Sequence, residues 1–197
     1  TGALWLLRMT GAIPLGAILG ALLVGRLGVP PVTVAGLMLV AGGSFLASTW
    51  DLGISDPELS IHLVIVGLGF GLVIAPILIQ ALSAVSEDYR GTAASLVVVS
   101  RMVGMTLGLA ALSAWGMEHF QVLTAGLEFP LAEAGESAES LDVRVEEYSS
   151  SVNEAGLSLF QNFFRVAAIT ALVALPSTLV MRRRVDGMHG TGMTTLM

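Results

Sequence analysis

The 197-residue sequence is 54% hydrophobic and only 12% charged, with 23 glycines; soluble domains carry about 25% charged residues, so this composition suits a bilayer. It has no cysteine, which excludes a disulfide framework, a thiolate metal site and a thiol nucleophile. The formal charge of −6 is not a diffuse acidic surface, because most carboxylates fall in one link.

The chain opens at Thr1 and turns apolar almost at once. It lacks the basic leader and small-residue cleavage site of a signal peptide, and reads as an internal piece of a longer protein. A membrane-crossing helix needs about 20 mostly apolar residues. Five stretches qualify: 3–24, 31–50, 61–84, 92–115 and 159–181. The connections 25–30, 51–60 and 85–91 are short and predict sequential spans that are antiparallel neighbours; 116–158 is long.

Arginines at the span ends set the orientation. Arg26, Arg90, Arg182, Arg183 and Arg184 fall on one side. Arg144 alone falls on the other, with Asp51, Asp56, Glu58 and the carboxylates of the long link. The tail 182–197 is therefore expected in the cytoplasm and the link 116–158 outside.

In chain order, the first span carries Arg8 in its outer half, Pro14, and Gly16 and Gly20 on one helix face. Arg8 reads as an anchor whose long stem reaches the outer headgroups, or as a gating charge. The following turn is Leu23-Val24-Gly25-Arg26-Leu27-Gly28-Val29-Pro30. The third span opens with His62, an interfacial histidine or a pH sensor. It continues with Gly67 and Gly71, then Pro76 and Gln80. Proline inside a span favours a kink, so Pro76 near Gly71 marks a hinge candidate. Gly67–Gly71 has the spacing of a nucleotide fingerprint, but no strand precedes it.

Arg101 lies about ten residues, roughly 15 Å, into the fourth span. That depth is costly for a charge. It predicts a guanidinium turned to other helices or a cavity, either pairing with a carboxylate or anchoring carbonyls. Gly104 and Gly108 follow on one face. Pairs spaced by four, here Gly16/Gly20, Gly67/Gly71 and Gly104/Gly108, predict close helix–helix approach. In the outer half of the fifth span Arg165 reads, like Arg8, as an anchor reaching the outer headgroups or as a substrate or gating charge; Gln80, Gln161 and Asn162 are path-lining candidates or interhelical hydrogen-bonding groups.

From Leu141, the residues Val145, Tyr148, Val152, Leu159 and Phe163 recur at helical spacing, with Glu146, Glu147, Asn153 and Glu154 between them. This predicts one helix from about Leu141 to Met181, some 60 Å long. The fourth span is expected to overshoot through Met117, Phe120 and Leu123 until Gly126 and Pro130 stop it, leaving 133–140 as the loose tip. The three histidines are scattered and no catalytic or metal-binding motif occurs. Neither an enzyme, a cofactor, a metal nor a nucleic-acid partner is expected.

The turn bearing Arg26 and Gly28 resembles the cytoplasmic motif G-x-x-x-D-R-x-G-x-R of the major facilitator superfamily, with Gly25 in place of the acid and Pro30 in place of the last base. Gly67-Leu68-Gly69-Phe70-Gly71, Ala75-Pro76, Gly91-Thr92-Ala93-Ala94-Ser95, Arg101-Met102-Val103-Gly104 and Gly108-Leu109-Ala110 occur in the order of late spans in its fourteen-span drug/proton antiporter branch. The resemblance implies an all-α fold: five helices of a six-helix half-bundle in the inner (plasma) membrane, with a missing N-terminal bundle that holds the proton-binding carboxylates. The units are then 1–115, four spans; 116–158, a helical extracytoplasmic extension; 159–181, the last span; and 182–197, the tail.

The function implied is proton-coupled export of hydrophobic or amphiphilic compounds. Lipid export is the alternative, since the extension resembles outward extensions in triacylglyceride-exporting members, with membrane lipids and protons as the other partners. A third reading, from another class, is a non-transporting scaffold whose acidic loop binds a partner.

Overall fold

The computed structural model describes residues 2–131 and 137–190. Five α-helices follow one another: α1 (Gly2–Leu27), α2 (Val29–Ala47), α3 (Asp56–Ser83), α4 (Arg90–Thr124) and α5 (Ala138–Gly190), with a 3-10 turn at Glu87–Tyr89 before α4. All five are long and apolar enough to cross a membrane. Among the described residues no strand forms.

The turns explain the boundaries. Gly28 closes α1 with φ +83°, a conformation that costs glycine little, and its N–H donates to Val24 O at 2.9 Å. Pro30 and Pro31 then enter the first turn of α2, where a missing N–H removes no helical bond. Pro57 does the same for α3, whose first turn also carries Asp56 and Glu58 beside the positive helix end. Arg90 pairs with Glu87 at 3.3 Å before α4.

Adjacent helices run antiparallel, as the short turns require, but sequence neighbours are not the main packing partners. α1 packs chiefly on α3, parallel to it, and α3 packs on α2. α2 in turn meets α5, while α1 and α2 touch little. The reason lies in the glycines of α3. A methyl group on Gly67 would strike the Met9 carbonyl, and one on Gly71 the Ile13 carbonyl; one on Gly16 would strike the Leu68 carbonyl. Backbone thus lies on backbone along this seam, as small-xxx-small faces permit. Gly69, on a different face, is held 2.7 Å (from its would-be Cβ) to Val40 N of α2. Gly36 and Gly43 of α2 complete that second seam against Val73 and Val66. Val40, Ala41 and Ala171 form the small buried cluster between α2 and α5.

The third glycine pair differs from expectation. Gly104 and Gly108 meet nothing within 4 Å among the described residues, so this glycine pair seats no helix of this chain. Pro14 and Pro76 lie within α1 and α3, which run through them without a break. Pro76 is among the most deeply buried side chains.

Candidate functional site

Three helices converge at the end of the bundle opposite Gly28. Trp50, just past α2, donates its indole N–H to His62 Nδ1 of α3 at 2.9 Å, with the rings stacked. Its carbonyl accepts from Gln161 Nε2 of α5 at 2.6 Å, and its ring meets Phe164 edge-on at 5.2 Å. His62 is half-buried rather than a freely exposed interfacial residue. On the far side of α5, Trp115 of α4 stacks on His119 at 5.3 Å and leans on Phe163 at 5.7 Å. Phe163 and Phe164 are adjacent, so α5 is gripped between two Trp–His pairs. Tryptophans gather where a bilayer meets water.

Gly116 makes the α4–α5 grip possible. A methyl there would approach Phe163 Cζ to 2.6 Å and Leu159 Cδ2 to 3.3 Å. Gly116→Val is expected to cost about 1–3 kcal/mol by overpacking. A thermal melt of the protein in detergent that matches wild type would refute this crossing.

Beyond the grip, α5 continues as an arm. Its helix runs without a break from Ala138, and the 23 residues before Gln161 span ~35 Å. Whole, its 53 residues amount to ~80 Å, against a hydrocarbon layer of about 30 Å. The expected start at Leu141 and end at Met181 are both exceeded. The expected stripe faces inward in large part: Leu159 is buried and Leu141, Tyr148, Val152 and Phe163 are half-buried, though Val145 is exposed. Glu146, Glu147, Asn153 and Glu154 form the exposed face.

α4 overshoots as expected and ends at Thr124, just before Gly126; beyond it the partner of this arm is a non-helical segment, 125–131, alongside α5. Phe129 meets Tyr148 edge-on at 5.4 Å, and Arg144 Nη2 donates to Leu131 O at 2.9 Å. Gly126 and Pro130 break the helix as their chemistry requires. Segment and helix enclose an open groove of about 320 Å³ between Phe129, Pro130, Arg144 and Tyr148. Of the loose tip placed at 133–140, residues 133–136 lie outside the described residues, and Ala138–Ser140 are already helical.

The remaining candidates scatter. Arg101 stands on the bare middle of α4, where Met105, Leu107 and Leu109 are 66%, 66% and 68% exposed. It borders an apolar cleft of about 510 Å³ between Ile74, Ile77 and Leu78 of α3 and Leu96 and Val97 of α4. The guanidinium is exposed within this chain rather than enclosed by its helices. Gln80 is half-buried near the other end of α3. Arg165 is exposed and donates to Asn162 Oδ1 at 3.4 Å, one turn back on α5. Gln161 takes the second of its two readings, a hydrogen bond between elements, and holds Trp50.

Arg8 reaches the Ser60 hydroxyl, beside a 3.0 Å bond from Trp5 Nε1 to Asp56 Oδ1, so it ties α1 to α3. Arg26 is exposed at the Gly28 turn. The two Trp–His pairs and Gly116 were missed in the sequence. Trp115 with Gly116, opposite two adjacent phenylalanines, was the one available signal.

No family model matches the chain. A triacylglyceride transporter of Mycolicibacterium smegmatis is 36% identical over 181 residues, which cover 87% of this chain and 32% of that protein. A triacylglyceride transporter of Mycobacterium tuberculosis is 37% identical over 175 residues, 82% of this chain and 32% of the relative. A probable triacylglyceride transporter of Mycobacterium leprae is 32% identical over 185 residues, 88% and 36% respectively. The chain thus spans about a third of the length of the curated relatives it matches, and those relatives are named as transporters rather than enzymes.

Proposed function

We propose that this chain is five helices of the C-terminal half of a major facilitator transporter whose cargo is lipid of the triacylglyceride type. The observation that carries the reading is the arm: an unbroken helix reaching ~35 Å past the Trp50 grip, apolar toward its partner segment and acidic outward, in a chain similar to named triacylglyceride transporters. Arg26, Arg90 and the end of α5 lie at one end of the bundle, and the arginine bias supports a cytoplasmic position for that end and an outer one for the arm. The arm's inner stripe then shields an acyl chain as it leaves the outer leaflet.

The bare α4 supports the half-bundle. A helix exposed along its length with a cation at mid-depth needs further helices around it. A protein of about three times this length supplies them. Arg101 is proposed to meet a carboxylate of the other bundle, and proton coupling to reside there. Efflux of smaller hydrophobic compounds and a passive scaffold are the readings this displaces: the arm favours a lipid, and a scaffold gains nothing from a cation at mid-depth.

The test uses the full-length protein in proteoliposomes with a proton gradient, loaded with a labelled triacylglyceride or a hydrophobic dye. Triacylglyceride transfer is expected, and none from vesicles holding this chain by itself, because a central path needs two bundles. Dye movement without triacylglyceride transfer would restore the drug-efflux reading.

A further inference from the structure

The proton-sensitive group best placed to govern the arm is not in the middle of the membrane but at its base. The turn carrying Trp50 touches α5 through two contacts, the Gln161 hydrogen bond and the Phe164 edge contact, and is itself joined to α3 by a ring stack on His62 and one hydrogen bond. That bond runs from the Trp50 indole N–H, which can only donate, to His62 Nδ1, which accepts only while unprotonated. We infer that Trp50 and His62 form a proton-sensitive anchor that sets the angle of the arm, with His62 as the switching residue. The inference rests on α5 beyond Gln161 being an arm, and not on the identity of its cargo.

The surroundings give the direction. Asp51 and Glu58 line the same pocket as His62, about 230 Å³ in volume. Toward α1, Asp56 is engaged by Trp5, and Arg8 by Ser60. Toward α5, Arg165 is turned to Asn162. α2 carries no titratable side chain. The charges nearest His62 are therefore carboxylates: Asp51, whose Oδ1 accepts from Gly53 N at 2.9 Å, and Glu58. A proton at Nδ1 removes the acceptor, leaves the indole N–H unpaired, and draws the imidazolium toward Asp51 or Glu58. Trp50 is then free to leave, and the grip on Gln161 and Phe164 goes with it. Imidazoles change charge between pH 5 and 8, the range an extracytoplasmic surface meets. The anchor holds while Nδ1 is free to accept and releases when it takes a proton.

Distances between spin labels test this in the full-length protein reconstituted in lipid nanodiscs. One label replaces Glu146 (Glu146→Cys) on the exposed face of the arm, and the other Leu4 (Leu4→Cys) on α1; both positions are exposed. Between about pH 8 and pH 5.5 the ratio of displaced to docked arm is expected to rise about fivefold, the effect of one hydrogen bond. His62→Gln keeps an acceptor that does not titrate, so its arm stays docked at both pH values. His62→Phe keeps a ring beside Trp50 without an acceptor, so its arm is displaced at both. Trp50→Phe, which keeps the ring against Phe164 and loses the donor, reports the same loss should His62→Phe fail to fold. A wild-type distribution unchanged across the range overturns the inference, as does a pH response that survives in His62→Gln. Triacylglyceride transfer is measured separately, so failure of the anchor and failure of the lipid reading are told apart.

Discussion

Replacing residues 121–150 of the full-length protein by a short Gly/Ser turn is expected to reduce triacylglyceride export at least tenfold and leave folding intact. The cut spares Gly116, Leu159 and Phe163, which join α4 to α5, as well as Gln161 and its bond to Trp50. What goes is the free part of α5 and the segment bearing Phe129. The magnitude follows from hydration of the cargo. Each methylene brought into water costs about 0.8 kcal/mol, so shielding even two of them changes a rate about tenfold. Efflux of small hydrophobic dyes, which never expose a long chain, is expected to survive. Export of triacylglyceride at the wild-type rate by this variant would remove the arm from the mechanism.

Gly71→Ala has the largest expected effect on stability of any single substitution considered. Its new methyl would strike the Ile13 carbonyl and lie 2.5 Å from Ala17 N and 2.7 Å from Gly16 C, all of them backbone. Backbone cannot turn aside as a side-chain tip can, so α1 must move off α3, at a cost of about 3 kcal/mol. Gly25→Ala is the matched control. It lies on the same helix as Gly16, with nothing within 4 Å among the described residues, and is expected to melt within about 1 kcal/mol of wild type. The comparison is a thermal unfolding curve in detergent for each variant. Equal melting of the two would mean that the α1–α3 seam is looser than its glycines require.

Much of this architecture was legible because a bilayer makes simple demands. Length and apolarity located the five helices, since no other structure satisfies its own backbone in lipid. Gly126 and Pro130 located the end of α4, and the spacing from Leu141 to Phe163 located the long helix. The partners were harder. Gly16 and Gly71 each announce a face that another helix approaches, but spacing says nothing about which helix. The parallel seam between α1 and α3 was therefore hidden behind the more obvious α1–α2 turn. Gly104 and Gly108 carry the same signal and meet nothing in this chain. Gln161 was read as path-lining or as a hydrogen-bonding group, and its partner could not be named for a related reason: the Trp50 carbonyl is 111 residues away, and a backbone acceptor leaves no trace in composition. That the chain stays beside α5 after the α4 helix ends was not legible, because the apolar run stops at Leu123 and Gly126 and Pro130 signal only the break.

The continuity of α5 has a mechanical consequence. No proline interrupts it before Pro176, so the portion in the bundle and the portion beyond Gln161 form one lever with its fulcrum at the Trp50 grip. With ~35 Å on the free side, a rocking of about 10° at the fulcrum sweeps the tip through roughly 6 Å, more than a helical turn. A domain movement too small to open a wide path through the membrane would still carry the outer end of α5 across the width of an acyl chain.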